Sequence, residues 1–537
     1  MICGEKKSGN RGTGLSAGRM NMENWKIEAE NFLRNETEFR LGFLPSEARN
    51  PLTMHLDDDF RESTVKGVRT LLSCDRALLP FVRQTLARKE YVFMAGSMRR
   101  ARRIVFSGCG ATGRLAILLE SAWNEVHPDD PRVLSLMTGG DFALVKSVEH
   151  FEDYSAVGKK QVDELGVTRD DILVGITATG ETASILGSAK EAAQRGAGVF
   201  MLICVPVETA ASRLERCREL YSFPNVTVLD MPIGGMALTG STRMQSSTIE
   251  LLMAASALES ASGTTGIDYA AAFESLLDSL ATPESVESLA ACIDSEWEIY
   301  RDRGLIDYVA DDLLIDLLSD TTERSPTFMI PPYKFRDDDV SPEPWAMVRN
   351  LSAPPPDIWR KCLHRPPRCI EWSEAEYRSA GLEILLKNGL PRISERELRR
   401  VPIGNEILPS RANARRVEIR NEKHGSLFIG DRRIGGPLTP TPMRLFEHLR
   451  MKLAMNIIST GTMVRLGRVK SNYMIHLAIS NKKLVDRACR IISELCGIDY
   501  ETACHELFRT CATLKSPTLS PVAETLRRLN RDFQLDT

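Results

Sequence analysis

One stretch limits the possible folds more than any other. Arg102-Arg103-Ile104-Val105-Phe106 is followed by Gly108-Cys109-Gly110-Ala111-Thr112-Gly113 and then by Arg114 to Trp123. The apolar run reads as a strand, the glycines as a tight turn, and the three-to-four apolar spacing after them as a helix. The pattern returns as strand Ile172 to Ile176, turn Thr177-Ala178-Thr179-Gly180-Glu181-Thr182, a helix through Ala193, and a third strand from Gly198 to Val205. Strands alternating with helices predict a mostly parallel sheet covered on both faces, with any ligand at the carboxyl ends of the strands.

One such sheet does not use up 537 residues, a length that suggests three or four domains at roughly 150 residues each. Helical patterning begins at Asn24 and continues from Phe60 to Arg88. Later, Leu305 to Val309, Arg368 to Trp372, Val417 to Ile419 and Ser426 to Ile429 read as short strands, and Phe446 to Leu466 as a long helix. Ser325 to Pro367 holds many of the 27 prolines and is expected to be mostly loop. Lys482 to Leu529 reads as amphipathic helix broken near Ser516-Pro517. These readings divide the chain into a flexible tail (1–23), a first α/β domain (24–280), a second, more decorated one (281–481) and a helical cap (482–537). The tail lacks the apolar core of a secretory signal, and Met20 or Met22 is an alternative start.

Composition excludes several classes. Hydrophobic residues at 43% and charged ones at 26% are those of a globular protein, and no apolar run is long enough for a membrane span. The 69 basic and 72 acidic side chains leave a net charge of −3, so neither nucleic acid nor a membrane is an expected partner. Twelve cysteines without a CxxC pair point to a reducing, cytoplasmic setting. Cys489, Cys496, Cys504 and Cys511 recur at helical spacing and are read as buried packing, with no metal assigned. The eight histidines have no partner pattern and are read as structural.

The Gly108–Gly113 turn is a candidate anion cradle, because glycines let backbone N–H groups approach an oxyanion and a helix N-terminus adds partial positive charge. A tight structural turn is the alternative. Its G-x-G-x-x-G letters lack an acid at a strand end some twenty residues on, so no dinucleotide cofactor is expected. Thr177, Thr179 and Thr182, and the cluster Thr239-Gly240-Ser241-Thr242-Arg243-Met244, add hydroxyl donors and one guanidinium, which suit a phosphate ester. Such clusters also cap helices, so only convergence at one sheet edge makes a site. Ala237-Leu238-Thr239 and Pro437-Leu438-Thr439 hint at an internal repeat.

Three motifs together, Gly108-Cys-Gly-Ala-Thr-Gly-Arg114, Gly175-Ile-Thr-Ala-Thr-Gly-Glu-Thr182 and Leu238-Thr-Gly-Ser-Thr-Arg-Met244, resemble the sugar isomerase (SIS) group, in the branch of the N-acetylmuramic acid 6-phosphate etherases and the glucokinase regulatory protein. The matching etherase segments read approximately GAGTSGR, GIAASGRT and LTGSSRMKAGT. A fourth match, Asn456-Ile-Ile-Ser-Thr-Gly461 with Arg465-Leu-Gly-Arg-Val469 and Asn472-Tyr-Met474, resembles the segment that directly follows the third motif in the etherases, yet lies over two hundred residues later. The resemblance therefore implies a duplicated and fused chain: two tandem SIS-type, doubly wound, mostly parallel α/β sheets with a helical C-terminal cap.

It also implies a site. Etherases are thought to use two glutamates as acid and base. Ser147-Val-Glu-His-Phe-Glu-Asp153 places one on Glu152, and Asp320-Thr-Thr-Glu-Arg-Ser-Pro-Thr-Phe328 places the other on Glu323, in the second half. Gly108, Gly110, Thr112, Thr177, Thr179, Thr182, Ser241, Arg243 and Arg468 are the implied substrate contacts. Glu181 stands where the etherases carry Arg, bringing negative charge near the phosphate. The reciprocal turn, Val309-Ala-Asp-Asp312, lacks glycines and offers carboxylates, so one composite site is expected. The resemblance implies a protein that binds a hexose or amino-sugar 6-phosphate, regulatory in the manner of the glucokinase regulatory protein with a sugar kinase as possible partner, or alternatively an etherase. A carboxylate pair serves either, since it can divide acid and base roles or hold sugar hydroxyls. The helical part ending at Thr537 is shorter than that regulator's cap, which would leave out surface for a kinase.

Overall fold

The computed structural model of the protein describes residues 24–516 and 518–530. The tail read over 1–23 and the proline of the Ser516-Pro517 break lie outside the described residues. The chain forms two compact units, residues 42–476 and residues 24–41 with 477–530.

The smaller unit is helical, with Trp25–Asn35, Lys482–Cys496, Tyr500–Thr513 and Pro521–Leu529. Asn481, Asp499 and Ser520 each accept a backbone N–H from the first turn of the helix they precede, the usual capping by short polar side chains. Cys489 and Cys504 are buried among these helices, and Cys496 and Cys511 are half-buried.

The larger unit contains two five-stranded sheets. The first consists of β1 (Ile104–Gly108), β2 (Val133–Met137), β3 (Ile172–Ile176), β4 (Gly198–Ile203) and β5 (Val226–Asp230) in the order β2-β1-β3-β4-β5, all parallel. Sequence reading missed β2 and β5. The chain steps one way from β1 to β2 and the other way from β2 to β5, so right-handed crossovers place helices on both faces. The reversal leaves a switch point between β1 and β3, where the glycine and threonine turns emerge.

The second sheet comprises β6 (Ile306–Ala310), β7 (Ala346–Arg349), β8 (Arg415–Asn421), β9 (Leu427–Ile429) and β10 (Arg432–Ile434) in the order β10-β9-β8-β6-β7. Its parallel trio β7-β6-β8 repeats the β2-β1-β3 arrangement. The outer strands form antiparallel hairpins instead, so this sheet is mixed and not mostly parallel as expected. One further reading needs correction. Arg368–Trp372 is not a strand, because the Arg368 backbone pairs with Asp141 in a first-half loop, donating to Oδ2 at 2.5 Å and accepting from Asp141 N–H at 3.0 Å. The proline-rich stretch is mostly loop, as expected, and still admits some regular structure: helix Leu314–Phe328 runs through Pro326, Pro355 opens helix Pro355–Leu363, and β7 lies between them.

Four helices meet between the sheets: Ala111–Val126, Gln245–Ala261, Leu314–Phe328 and Leu445–Arg465. Gln245–Ala261 and Leu445–Arg465 are buried on nearly every face, the second with several charged side chains among its buried residues. Glu250 is fully buried among them, and one of its oxygens lacks a hydrogen-bond partner. Burial raises its carboxyl to about 8, whereas an exposed Glu titrates near 4.3. The folded state therefore keeps a proton that the unfolded state releases, and stability falls as pH rises between those values. Glu250→Gln should gain on the wild type from pH 5 to pH 8, on the order of a few kcal/mol, as read from urea midpoints at both pH values.

Candidate functional site

Gly108 ends β1 and Gly110 precedes helix Ala111–Val126 with φ +56° and ψ −124°, a conformation that favours a residue without Cβ. The Thr112 hydroxyl accepts the Cys109 N–H at 3.1 Å and donates to the Cys109 carbonyl at 3.0 Å, closing the turn. The first N–H groups of the helix have no intrahelical acceptor, the arrangement that suits an anion at a helix N-terminus.

Both glutamates come to this turn. Glu323, from the second half, is placed so that a Cβ on Gly110 would lie 3.7 Å from its Oε1. That oxygen accepts from the guanidinium of Arg114, a fully buried side chain. Arg114 also donates to the Ala143 carbonyl at 2.6 Å, and Thr322 donates to the Leu144 carbonyl at 2.7 Å, so the second-half helix is fastened to the first half at Thr322 directly and at Glu323 through Arg114. On the neighbouring residue, the Cys109 thiol approaches Glu152 Oε2 at 3.8 Å. Carboxylates more than 170 positions apart in sequence thus reach adjacent residues of one turn. Arg114, the last letter of the first motif, was not among the predicted contacts.

The threonine turn is held beside them by unusually close helix packing. A Cβ on Gly158 would lie 1.8 Å from the Ser184 carbonyl oxygen, and one on Gly187 would lie 2.0 Å from that of Ser155. This contact sets helix Ser155–Leu165 against Ala183–Gln194, and the Glu152 carbonyl accepts the Ser184 N–H at 3.0 Å. Thr177 and Thr182 share a hydrogen bond of 3.1 Å, and Thr179 donates to Glu181 Oε1 at 3.3 Å. The negative charge expected from Glu181 is offset, because Arg216 donates to its carboxylate at 2.6 Å and to its carbonyl at 3.0 Å.

The third motif behaves differently. Ser241 is buried within its own turn, its N–H bonded to the Leu238 carbonyl at 2.9 Å. Arg243 points into the helix interface, where its Nη atoms donate to Asp320 and Asn456 at 3.0 Å, Thr460 at 3.1 Å and Ser459 at 3.2 Å. Asp320 also pairs with buried Arg324, which pairs with Glu296, each at 2.7 Å. Arg243 is thus committed to an internal ion-pair chain. Asn472 bonds Thr239 at 3.1 Å, so the fourth matched segment lies against the third despite their separation in sequence. Arg468 does not reach the turns as a second-half cation; its guanidinium donates to the Phe328 carbonyl and to that of Met329 at 3.3 Å, capping the helix that carries Glu323. A cavity of about 50 Å³ lined by Ala111, Arg243, Asp320, Glu323, Lys452 and Asn456 lies behind the turn, too small for a hexose phosphate.

Residues 87–192 match the family model of the glucokinase regulatory protein N-terminal SIS domain, and residues 471–523 that of the C-terminal lid domain of glucokinase regulatory protein. The chain is 31% identical over 219 residues to the N-acetylmuramic acid 6-phosphate etherases of Yersinia pestis and Yersinia pseudotuberculosis, an alignment covering 40% of this chain and 68% of each relative. It belongs to the SIS-domain family of these etherases and the glucokinase regulatory protein. Among solved structures, tagatose-6-phosphate ketose/aldose isomerase from Escherichia coli aligns with a TM-score of 0.38 at 12% identity, over 75% of this chain and 95% of that one. Among the described residues, no helix is long and apolar enough to cross a membrane.

Within this family arrangement, the seat reciprocal to the glycine turn follows β6, and Asp312 there is not left bare. The Arg444 guanidinium pairs with it, with Nη1 to Oδ1 at 3.1 Å, and also with Glu447 at 2.7 Å. Arg444 ends the second-half repeat Pro437-Leu438-Thr439 much as Arg243 ends the first. The chain's own cation thus lies against the carboxylate that would repel a phosphate.

Asp320 joins both buried arginines across the halves. Asp320→Ala leaves Arg243 and Arg324 without it and should lower stability by about 3–5 kcal/mol. A urea titration followed by circular dichroism would check this.

Proposed function

We propose that the protein binds a hexose or amino-sugar 6-phosphate at one composite site and acts as a regulator or sensor of the glucokinase-regulatory type. The turn after β1 would take the phosphate on its backbone N–H groups, helped by the threonine turn after β3. Glu152 and Glu323 would hold sugar hydroxyls from opposite sides. The observation that carries this reading is that Glu323 of the second half meets Gly110 and Arg114 of the first while Glu152 meets Cys109 next to it. Arg114 orients one oxygen of Glu323 and leaves the other to accept a sugar hydroxyl. The likeness of residues 471–523 to the lid domain of glucokinase regulatory protein supports the regulatory side; the regulated partner would be a sugar kinase.

The etherase reading rests on the likeness to the Yersinia enzymes. In it one glutamate takes the proton alpha to the opened aldehyde while the other protonates the departing lactyl oxygen, and two carboxylates in unlike surroundings can divide those roles.

Calorimetric titration with fructose 6-phosphate and N-acetylmuramic acid 6-phosphate, together with a lactate assay on the latter, tests both readings. Binding that is at least tenfold weaker in Glu323→Gln, without lactate release, is the expected result. Lactate release that disappears in Glu152→Gln and Glu323→Gln would replace regulation with catalysis, and failure of both sugars to bind would overturn the composite site.

A further inference from the structure

The chain as a whole is slightly acidic, yet one groove in the second half is strongly basic. Its volume is about 790 Å³, and its lining carries Arg336, Arg392, Arg396, Arg399 and Arg400 against two carboxylates, Asp337 and Glu395. The lining thus bears a charge of +3 in a protein whose formal net charge is −3.

The two carboxylates are already engaged. Asp337 holds Arg400 with both oxygens at 2.8 Å, and Glu395 accepts from Arg399 Nε at 2.9 Å. Arg336, Arg392 and Arg396 are exposed and have no ion-pair partner among the described residues. The groove is also organised. The Arg392 and Arg400 guanidiniums lie 5.0 and 4.3 Å from the centroid of one ring, that of Phe335. The Arg336 N–H donates to the Arg400 carbonyl at 2.9 Å, tying together the two chain segments that form the walls. Guanidiniums seated on an aromatic ring lose less freedom on binding, and their planar forks match phosphate oxygens two at a time. Like charges gathered this closely repel one another until an anion arrives.

We infer that this groove is a second ligand site, for a small metabolite with a chain of two or more linked phosphates. Seven residues line it, against the roughly 20–30 a side of a specific protein–protein interface, which argues against an extended macromolecular partner as its main occupant. Three unpaired guanidiniums exceed what a single phosphate, with at most two charges, would neutralise. None of these residues belongs to the turn site, so the inference stands or falls independently of the sugar-phosphate reading.

Titration of the full chain with inorganic tripolyphosphate, ATP without magnesium, and orthophosphate tests it. Tripolyphosphate should bind at least tenfold more tightly than orthophosphate, with affinity falling as salt rises from 50 to 200 mM. Arg392→Ala with Arg396→Ala should weaken tripolyphosphate at least tenfold and leave sugar-phosphate binding unchanged. Equal affinity for ATP and tripolyphosphate would show that the phosphate chain alone is read, and tighter ATP would make the ligand a nucleotide; both support the site. Equal affinity for orthophosphate and tripolyphosphate, an unchanged affinity in the double variant, or capture of a poly-glutamate peptide but not of tripolyphosphate would each overturn it. Because both substituted side chains are exposed, the double variant should fold; a matching circular dichroism spectrum and melting temperature confirm that any lost binding is local.

Discussion

The arrangement depends on a run of buried charges, Arg243 to Asp320 to Arg324 to Glu296, that passes from the first half into the second. Ions removed from water are tolerable only when each finds a partner of opposite sign, and here every link is 3.0 Å or shorter. Such a chain specifies register more than it adds stability. Apolar side chains across a helix interface can slide by a turn at modest cost, but a buried guanidinium cannot exchange its carboxylate for an alkyl group. With Asp320 fixed, Glu323 lies just under one helical turn further along the same helix and is directed at Gly110.

Much of this was legible in the residues, and what was missed has physical reasons. The β1 and β3 units stood out because glycine and threonine turns punctuate apolar runs. The strands β2 and β5 are flanked by turn residues too, but Ser135 and Thr227 break their apolar runs. The β7 strand was hidden by the surrounding prolines, which here open a helix and sit in the last turn of another instead of breaking them. Arg368–Trp372 has strand-like composition, but its backbone polar groups are satisfied by Asp141, a partner more than 220 positions away that no local pattern can reveal.

The predicted site residues divide along the same line. Gly110, Thr112 and the threonines of the second turn are local features, and they lie at the switch point where their strands end. Glu152 and Glu323 were proposed by resemblance, and the fold brings both to one turn. Arg243 by its charge and Arg468 by the resemblance suit a phosphate, but neither charge nor position says where a side chain points. Both are directed inward, one to a carboxylate and one to helix-end carbonyls. Arg114 and Arg216 were overlooked because their partners, Glu323 and Glu181, are identified only in three dimensions.

Arg444 beside Asp312 has a consequence for how such a protein responds to concentration. Two identical subunits around a twofold axis own two equal seats, and equal seats can be coupled to give a sigmoidal response. On the proposed reading, a fused chain whose second seat is already furnished with its own guanidinium has one sugar-phosphate vacancy and no equal seat to couple it to. Its occupancy then follows a simple hyperbola, graded over about two decades of ligand around the dissociation constant. Steepness, if the cell needs it, must come from whatever else binds the chain.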